Sequence, residues 1–253
     1  MKDIIAISDL YKSFITEKGK EVRALENISL TIKEQDFVCI IGPSGSGKST
    51  LLRLMEGLIF PTSGSIQVMG KEVTKPLQEA NMVFQEYSLM PWRNIIDNVA
   101  FGLEVRKVPK KQRYEIASDI LGRFGLQDFI HSYPYELSGG MQQRAAIARA
   151  FATSPLVLFM DEPFGALDAY TRFQMQQELI EFWLEEKRAV AFVTHSVEEA
   201  IYLGKRVVLM SPRPGKIAEE YEIDLPYPRD RFSDKFRMYF EKIMDTMNRV
   251  NEL

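Results

Sequence analysis

The sequence predicts an α/β fold built on a largely parallel sheet covered by helices. Three observations carry it. Short apolar runs at 37–41 (FVCII), 156–160 (LVLFM), 189–193 (AVAFV) and 206–210 (RVVLM) read as strands, the first of them buried on both faces. Helical patterns at 169–187 and 196–203 stand between them, the alternation that a parallel sheet requires. A helical stretch between about 88 and 152 interrupts the alternation, which predicts an inserted helical subdomain.

In chain order, residues 28–32 (ISLTI) alternate apolar and polar side chains, as a half-buried strand does. The run 37–41 follows, then a glycine-rich turn, then TLLRLMEGL (50–58) as a helix. SIQVM (65–69), followed by Gly70 and Lys71, reads as a strand and a turn. Residues 109–126 form a helix opened by Pro109, suited to a first turn, with Gly125 near its end. MQQRAAIARAFA (141–152) is dense in strong helix formers. Ser196 and Glu199 have capping-box spacing, and SPRPG (211–215) is a turn. In the tail, Phe236, Phe240, Ile243 and Met247 fall at helical spacing, predicting an amphipathic helix over 233–250 packed on the body.

Composition excludes several classes. The 253 residues suffice for one large domain or two small ones, with 45% apolar and 26% charged residues. A net charge of −3 supplies no basic field and argues against nucleic acid as a partner. No apolar run reaches the roughly 18 residues of a membrane span. The start, MKDIIAISDLYKSF, lacks the features of a signal peptide. The lone cysteine, Cys39, excludes an internal disulfide framework and a multi-cysteine zinc site, and His131 and His195 alone exclude a histidine-rich metal site. These features predict a cytoplasmic, reduced protein.

Three segments carry chemistry. Gly42-Pro43-Ser44-Gly45-Ser46-Gly47-Lys48-Ser49 fits the phosphate-loop pattern between a strand and a helix, and Thr50 follows it. Glycines let successive N–H groups face phosphate oxygens, and the helix start adds partial positive charge. Lys48 suits the β- and γ-phosphates, and the Ser49 hydroxyl suits Mg²⁺. The strand 156–160 runs into Asp161-Glu162-Pro163, at the strand end where such sheets bind ligands. Asp161 fits a partner of the Mg²⁺, and Glu162 a base for the attacking water. Leu137-Ser138-Gly139-Gly140-Met141-Gln142-Gln143-Arg144 opens the alanine-rich helix with Ser138 as N-cap, either a second anion site or an ordinary capped helix.

LSGGMQQR strongly resembles the signature motif of the ATP-binding cassette (ABC) ATPases. With GPSGSGKST, LVLFMDEP, Gln85 after an apolar strand (VFQ) and His195 after another (FVTH), five family landmarks stand in family order over about residues 1–215. The resemblance implies a P-loop NTPase fold. It has a RecA-like core, an N-terminal antiparallel β subdomain and an inserted α-helical subdomain, all within one ATPase domain spanning 1–253 with a short helical tail from about 225. It implies ATP and Mg²⁺ as cofactors. Residues 42–50 match the phosphate loop, with Lys48 catalytic and Ser49 on the metal. Gln85 matches the glutamine that senses Mg²⁺ and the attacking water. Ser138, Gly139, Gly140 and Gln142 match the signature that contacts the γ-phosphate of ATP on the opposite subunit. Asp161 matches the Mg²⁺-linked aspartate, Glu162 the catalytic base, and His195 the switch histidine. Ala166-Leu167-Asp168 matches the loop at the dimer interface, with Gly165 where the family often has serine; Asp168 reads equally as a helix N-cap. Phe14 falls where the family stacks an aromatic ring on adenine, with Tyr11 the second choice; either reads also as core.

One chain carries one phosphate loop and one signature helix, so two chains back to back complete two sites. The resemblance therefore implies a homodimer. Only about 90 positions separate Ser49 from Ser138, too few for the coiled coils of chromosome-maintenance relatives, and the chain has one cassette, unlike translation-associated relatives. The best match is an importer subunit at the cytoplasmic face of the cell membrane. Its partners would be integral membrane permease subunits and, indirectly, a periplasmic or lipid-anchored solute-binding protein. Pro91-Trp92-Arg93-Asn94, Asn98–Gly102, SPRPGKI (211–217) and DLPYPRDR (224–231) resemble the nitrate/sulfonate/taurine branch. Met90 and Trp92 are candidates for the surface that meets the permease, although Trp92 reads equally as core.

Overall fold

The computed structural model describes residues 2–251. They divide into two compact units. One comprises residues up to Ala80 together with those from Lys187 onward, and the other Asn81–Glu186.

The first unit opens with two long strands, β1 (Asp3–Ile15) and β2 (Glu21–Lys33), paired antiparallel with Ile5 opposite Ile32 and Phe14 opposite Val22. The half-buried strand expected over 28–32 is the end of β2. The alternation of Ile28, Leu30 and Ile32, all buried, puts one face into the core as a period of two demands. β3 (Phe37–Ile41) is buried at every position. The glycine loop and α1 (Lys48–Glu56) follow, with Gly57 closing the helix in the left-handed region. β4 (Ser63–Val68) pairs antiparallel with the free side of β1, and β5 (Lys71–Glu72) extends this sheet to the order β2-β1-β4-β5.

The second unit contains β6 (Ala80–Val83), α2 (Ile95–Val105), α3 (Lys110–Arg123), α4 (Gly139–Ala152), β7 (Val157–Asp161) and α5 (Ala169–Glu186). Within the stretch expected to be helical from about 88, the first helix begins at Ile95. Residues 90–94 hold an irregular course with their backbone groups bonded by the Asn98 side chain. Asn98 is fully buried: its Oδ1 accepts from Met90 N (2.7 Å), and its Nδ2 donates to the carbonyls of Met90, Arg93 and Asn94 (3.1, 2.9 and 3.0 Å). Pro109 is the N-cap of α3 rather than its first helical residue, and Gly125 lies just past its end at φ 66°. The helices meet around Phe124, Phe151 and Phe182, with ring centroids 4.4–6.4 Å apart.

The chain returns to the first unit with β8 (Ala189–Val193), α6 (Val197–Leu203), β9 (Arg206–Met210), β10 (Ile217–Glu222) and α7 (Asp234–Asn251). β3 pairs parallel with β8 (Ile40 opposite Val193) and with β9 (Ile40 opposite Val208), and β10 runs antiparallel to β9. Cys39 sits fully buried in the middle of β3. Burial pushes its thiol well up from the ordinary range, with Glu199 acting in the same direction. Ser196 caps α6 through Glu199 N (3.2 Å). The tail helix forms as expected, but Phe240 is exposed; Phe236, Ile243 and Thr246 make the buried contacts instead. Among the described residues no helix is long and apolar enough to cross a membrane.

Candidate functional site

In the first unit the glycine loop leaves the carboxyl end of β3. Gly45 and Gly47 stand in the left-handed region at φ 79° and 92°, which the curl of the loop requires. Gly47 also has no room for a side chain: a Cβ there would lie 2.5 Å from Leu25 Cδ2. Lys48 is buried, and its ammonium donates to the carbonyls of Gly42 and Pro43 at 2.8 and 2.9 Å, folding the side chain over the loop. Ser46 is buried, Ser44 and Gly45 are exposed, and Pro43, Ser49 and Thr50 lie between. His195 comes two residues after β8 and is exposed. Thr194 N donates to Ile40 O (3.2 Å), so the histidine and the glycine loop leave the same edge of the parallel sheet.

Phe14 is 41% exposed, and the Lys12 ammonium lies 4.9 Å from its ring centre. Lys12 faces Leu25 across the β1–β2 ladder, and Leu25 packs under Gly47, so the exposed ring stands on the strand beside the loop. Tyr11 is only half-exposed.

In the second unit Gln85 and Glu162 converge on Gly165. A Cβ at Gly165 would lie 3.3 Å from Glu162 O, 3.6 Å from Gln85 Nε2 and 3.9 Å from Glu162 Cβ. A side chain at 165 would press on the Glu162 carbonyl and lie in ordinary contact with Gln85. Asp161 ends β7 and is buried; Glu162 follows in the left-handed region at φ 44°. A non-glycine residue there stores roughly 1–3 kcal/mol of strain, the kind of geometry that aims a side chain at a site. Asp168 is the N-cap of α5: its Oδ1 accepts from Tyr170 N (3.1 Å) and Thr171 N (3.0 Å), and the Thr171 hydrogen bonds hold its carboxyl below the usual range.

Ser138 caps α4, its Oγ accepting from Met141 N at 3.3 Å, and Gln142 Nε2 donates back to Leu137 O (3.1 Å). Gly139 and Gly140 lie close to two side-chain ends: a Cβ at Gly139 would lie 2.7 Å from Tyr87 Oη and one at Gly140 2.7 Å from Thr171 Cγ2. Sequence reasoning missed Tyr87, two residues beyond Gln85. It also missed Arg149 of α4, whose guanidinium donates to the carbonyls of Ser88 (2.7 Å) and Tyr87 (3.4 Å). The signature helix is thereby tied to the segment that follows Gln85. Only the tyrosine's proximity in sequence to Gln85 offered a signal.

The donor set fits Mg²⁺. The Ser49 hydroxyl and the Asp161 carboxylate are hard oxygen ligands, and Gln85 adds an amide oxygen. Among the described residues no group of three His, Cys, Asp or Glu stands together as a metal cage. The first unit places a glycine loop and a histidine at strand ends, and the second a buried aspartate, a strained carboxylate and a capped glycine helix start, each a part that phosphoryl chemistry uses.

Comparison with known proteins agrees. A family model described as "ABC transporter" matches residues 25–165. An uncharacterized ABC transporter ATP-binding protein of Methanocaldococcus jannaschii is 50% identical over 98% of this chain and 92% of its own length. The nitrate import ATP-binding protein NrtD of Synechocystis is 48% identical over 93% of this chain and 87% of its own. The taurine import ATP-binding protein TauB of Rhizobium johnstonii is 46% identical over 83% of this chain and 80% of its own. Among solved structures, the ATP-binding cassette MJ0796, a dimer in a post-hydrolysis state bound to ADP and Pi, superposes with a TM-score of 0.77 at 30% identity, covering 87% of this chain and 99% of that one. The chain therefore belongs to the ABC transporter family and is an ATP-hydrolysing cassette of that family.

Proposed function

We propose that this cassette is the energy-coupling subunit of an importer. It works as one ATPase domain over its whole length, on the cytoplasmic face of the membrane, with separate permease subunits and, through them, a solute-binding protein. The observation that carries the reading is its 42–48% identity, over most of the chain, to relatives named for the import of nitrate, taurine and aliphatic sulfonates. A small anion of that kind is the solute.

In this reading the 42–50 loop and Lys48 bind the triphosphate of MgATP with Ser49, Asp161 and Gln85 toward the cation. Phe14 stacks on the base. Ser138, Gly139, Gly140 and Gln142 of a second copy close over the γ-phosphate, and Asp168 lies at the seam. Glu162 takes a proton from the attacking water, and His195 holds the γ-phosphoryl group. Contacts made only while the γ-phosphate is present drive closure of the dimer, and hydrolysis releases it.

Glu162→Gln removes the base and keeps the shape, so the variant traps the closed pair. Size-exclusion chromatography in saturating MgATP is expected to give a dimer with hydrolysis reduced by about a hundredfold or more. A variant that stays monomeric there refutes the nucleotide sandwich. Co-purification from detergent extracts with an integral membrane protein tests the importer assignment. A cassette that instead works on a soluble protein or nucleic acid gives no such partner, and the net charge of −3 already weighs against nucleic acid.

A further inference from the structure

SPRPG, the turn between β9 and β10, has no part in the chemistry above. Its last residue, Gly215, is buried, and a Cβ on it would lie 1.9 Å from the carbonyl oxygen of Ser46, inside the glycine loop. Gly215 is not among the glycines in the left-handed region. Its backbone would accept any residue, and closeness to the loop alone demands glycine.

Two neighbouring glycines are also closely approached, although both have positive φ. A Cβ at Gly42 would meet Met210 O, at the end of β9, at 2.7 Å, and one at Gly47 would meet the Leu25 side chain of β2 at 2.5 Å and Ala24 O at 3.2 Å. The loop is thus flanked on two sides, by Ala24–Leu25 on one and by the backbone of Met210 and Gly215 on the other.

The two sides are themselves joined. Gly215 N donates to Ala24 O and Glu26 N to Gly215 O, both at 2.9 Å, and Lys216 pairs with Glu26 at 2.8 Å. The turn is closed internally. Ser211 N donates to Lys216 O (2.9 Å), Lys216 N to Ser211 Oγ (3.0 Å), and Ser211 Oγ to the carbonyls of Pro212 and Pro214 (3.0 and 3.3 Å). On the other side of the contact, Ser46 N has a bond of 3.2 Å to Pro43 O, and the neighbouring Ser44 and Gly45 are exposed. When something must move, the loop moves before the turn.

We propose that Gly215 is a positioning residue for nucleotide binding: the 211–215 turn is a backstop that sets the Ser46 carbonyl, and with it the N–H groups of the phosphate loop, without touching nucleotide. The inference rests on the phosphate-loop reading given above. Preorganised N–H groups bind an anion without first being arranged, and a displaced loop loses that advantage.

The test is steady-state ATPase kinetics with binding of a fluorescent ATP analogue. Gly215→Ala is expected to raise KM for MgATP and the analogue's Kd by about tenfold or more while kcat stays within about threefold. Arg213→Ala, an exposed change in the same turn, leaves both constants unaltered. A fall in kcat at unchanged KM, which is the signature of a misfolded fraction, overturns the proposal, as do wild-type constants. If Gly215→Ala does not fold, Ser211→Ala decides. It loosens the turn without a clash, and a KM raised by about threefold supports the backstop whereas an unchanged KM refutes it. An unaltered protein that binds no MgATP overturns the phosphate-loop reading and this inference together; unaltered binding with a normal Gly215→Ala variant overturns this inference alone.

Discussion

Glu56 closes α1, the helix that begins at the phosphate loop, and one of its carboxylate oxygens is buried with no hydrogen-bond partner. Burial pushes its carboxyl up from 4.5 to about 7. The folded state therefore favours the protonated form. The stability this proton contributes is fully present below pH 4.5 and is lost as pH rises through about 7. Glu56→Gln keeps the neutral shape at every pH. Denaturant titrations are expected to find the variant more stable than the parent by about 1–3 kcal/mol at pH 8, with the gap closing toward pH 5. Equal differences at both pH values would mean that Glu56 stays charged in the folded protein. The site residues divide at this same scale. The glycines, Lys48, Asp161 and Glu162 were legible because their types are dictated by charge and backbone freedom. Gly215 was legible only as part of a turn, because what demands glycine there is a contact with a residue about 170 positions away.

At the scale of elements, the strands with continuous apolar runs and the helices with clear caps appear within a residue or two of their expected bounds. What the pattern hid were elements whose pairing, rather than their composition, makes them strands. β1 carries Asp, Ser, Tyr and Lys along thirteen residues and β10 reads IAEEYE, yet both are held in antiparallel ladders, β1 between β2 and β4 and β10 on the edge beside β9. The segment 90–94, inside the stretch expected to be a helical subdomain, is a loop because one buried asparagine takes its backbone groups. That bonding fixes the loop that carries Trp92, which is 74% exposed and so not core. An exposed indole on an ordered loop suits a contact whose conformational cost is already met. Trp92→Ala is expected to leave ATPase activity in solution near wild type and to lower transport by the assembled importer about tenfold. Equal loss of both activities would remove the docking role.

For the molecule as a whole, an α/β architecture was readable from alternation, whereas the antiparallel N-terminal sheet followed only from the family resemblance. The contact map behind them was not readable. The site residues fall into two compact units, with the glycine loop and His195 in one and Gln85, Ser138, Asp161 and Glu162 in the other. Within each, close approaches do the positioning: Leu25 under Gly47, Tyr87 over Gly139, Arg149 on the Tyr87 and Ser88 carbonyls. Such contacts leave no periodic trace in a sequence, because the partners lie on different elements.

The chain's lone thiol, at Cys39, is sealed inside β3 and held protonated by its surroundings. Maleimide reagents are expected to leave the native protein untouched and to modify one equivalent after unfolding in guanidinium; rapid native labelling would place the sulfur near solvent. The natural sequence is then already a silent background for spectroscopy. A single cysteine placed at Tyr170, which is 72% exposed, would carry a spin label with no native thiol to mask first. In the dimer proposed above, the approach and parting of two copies during a turnover would become a distance distribution measured between two electrons.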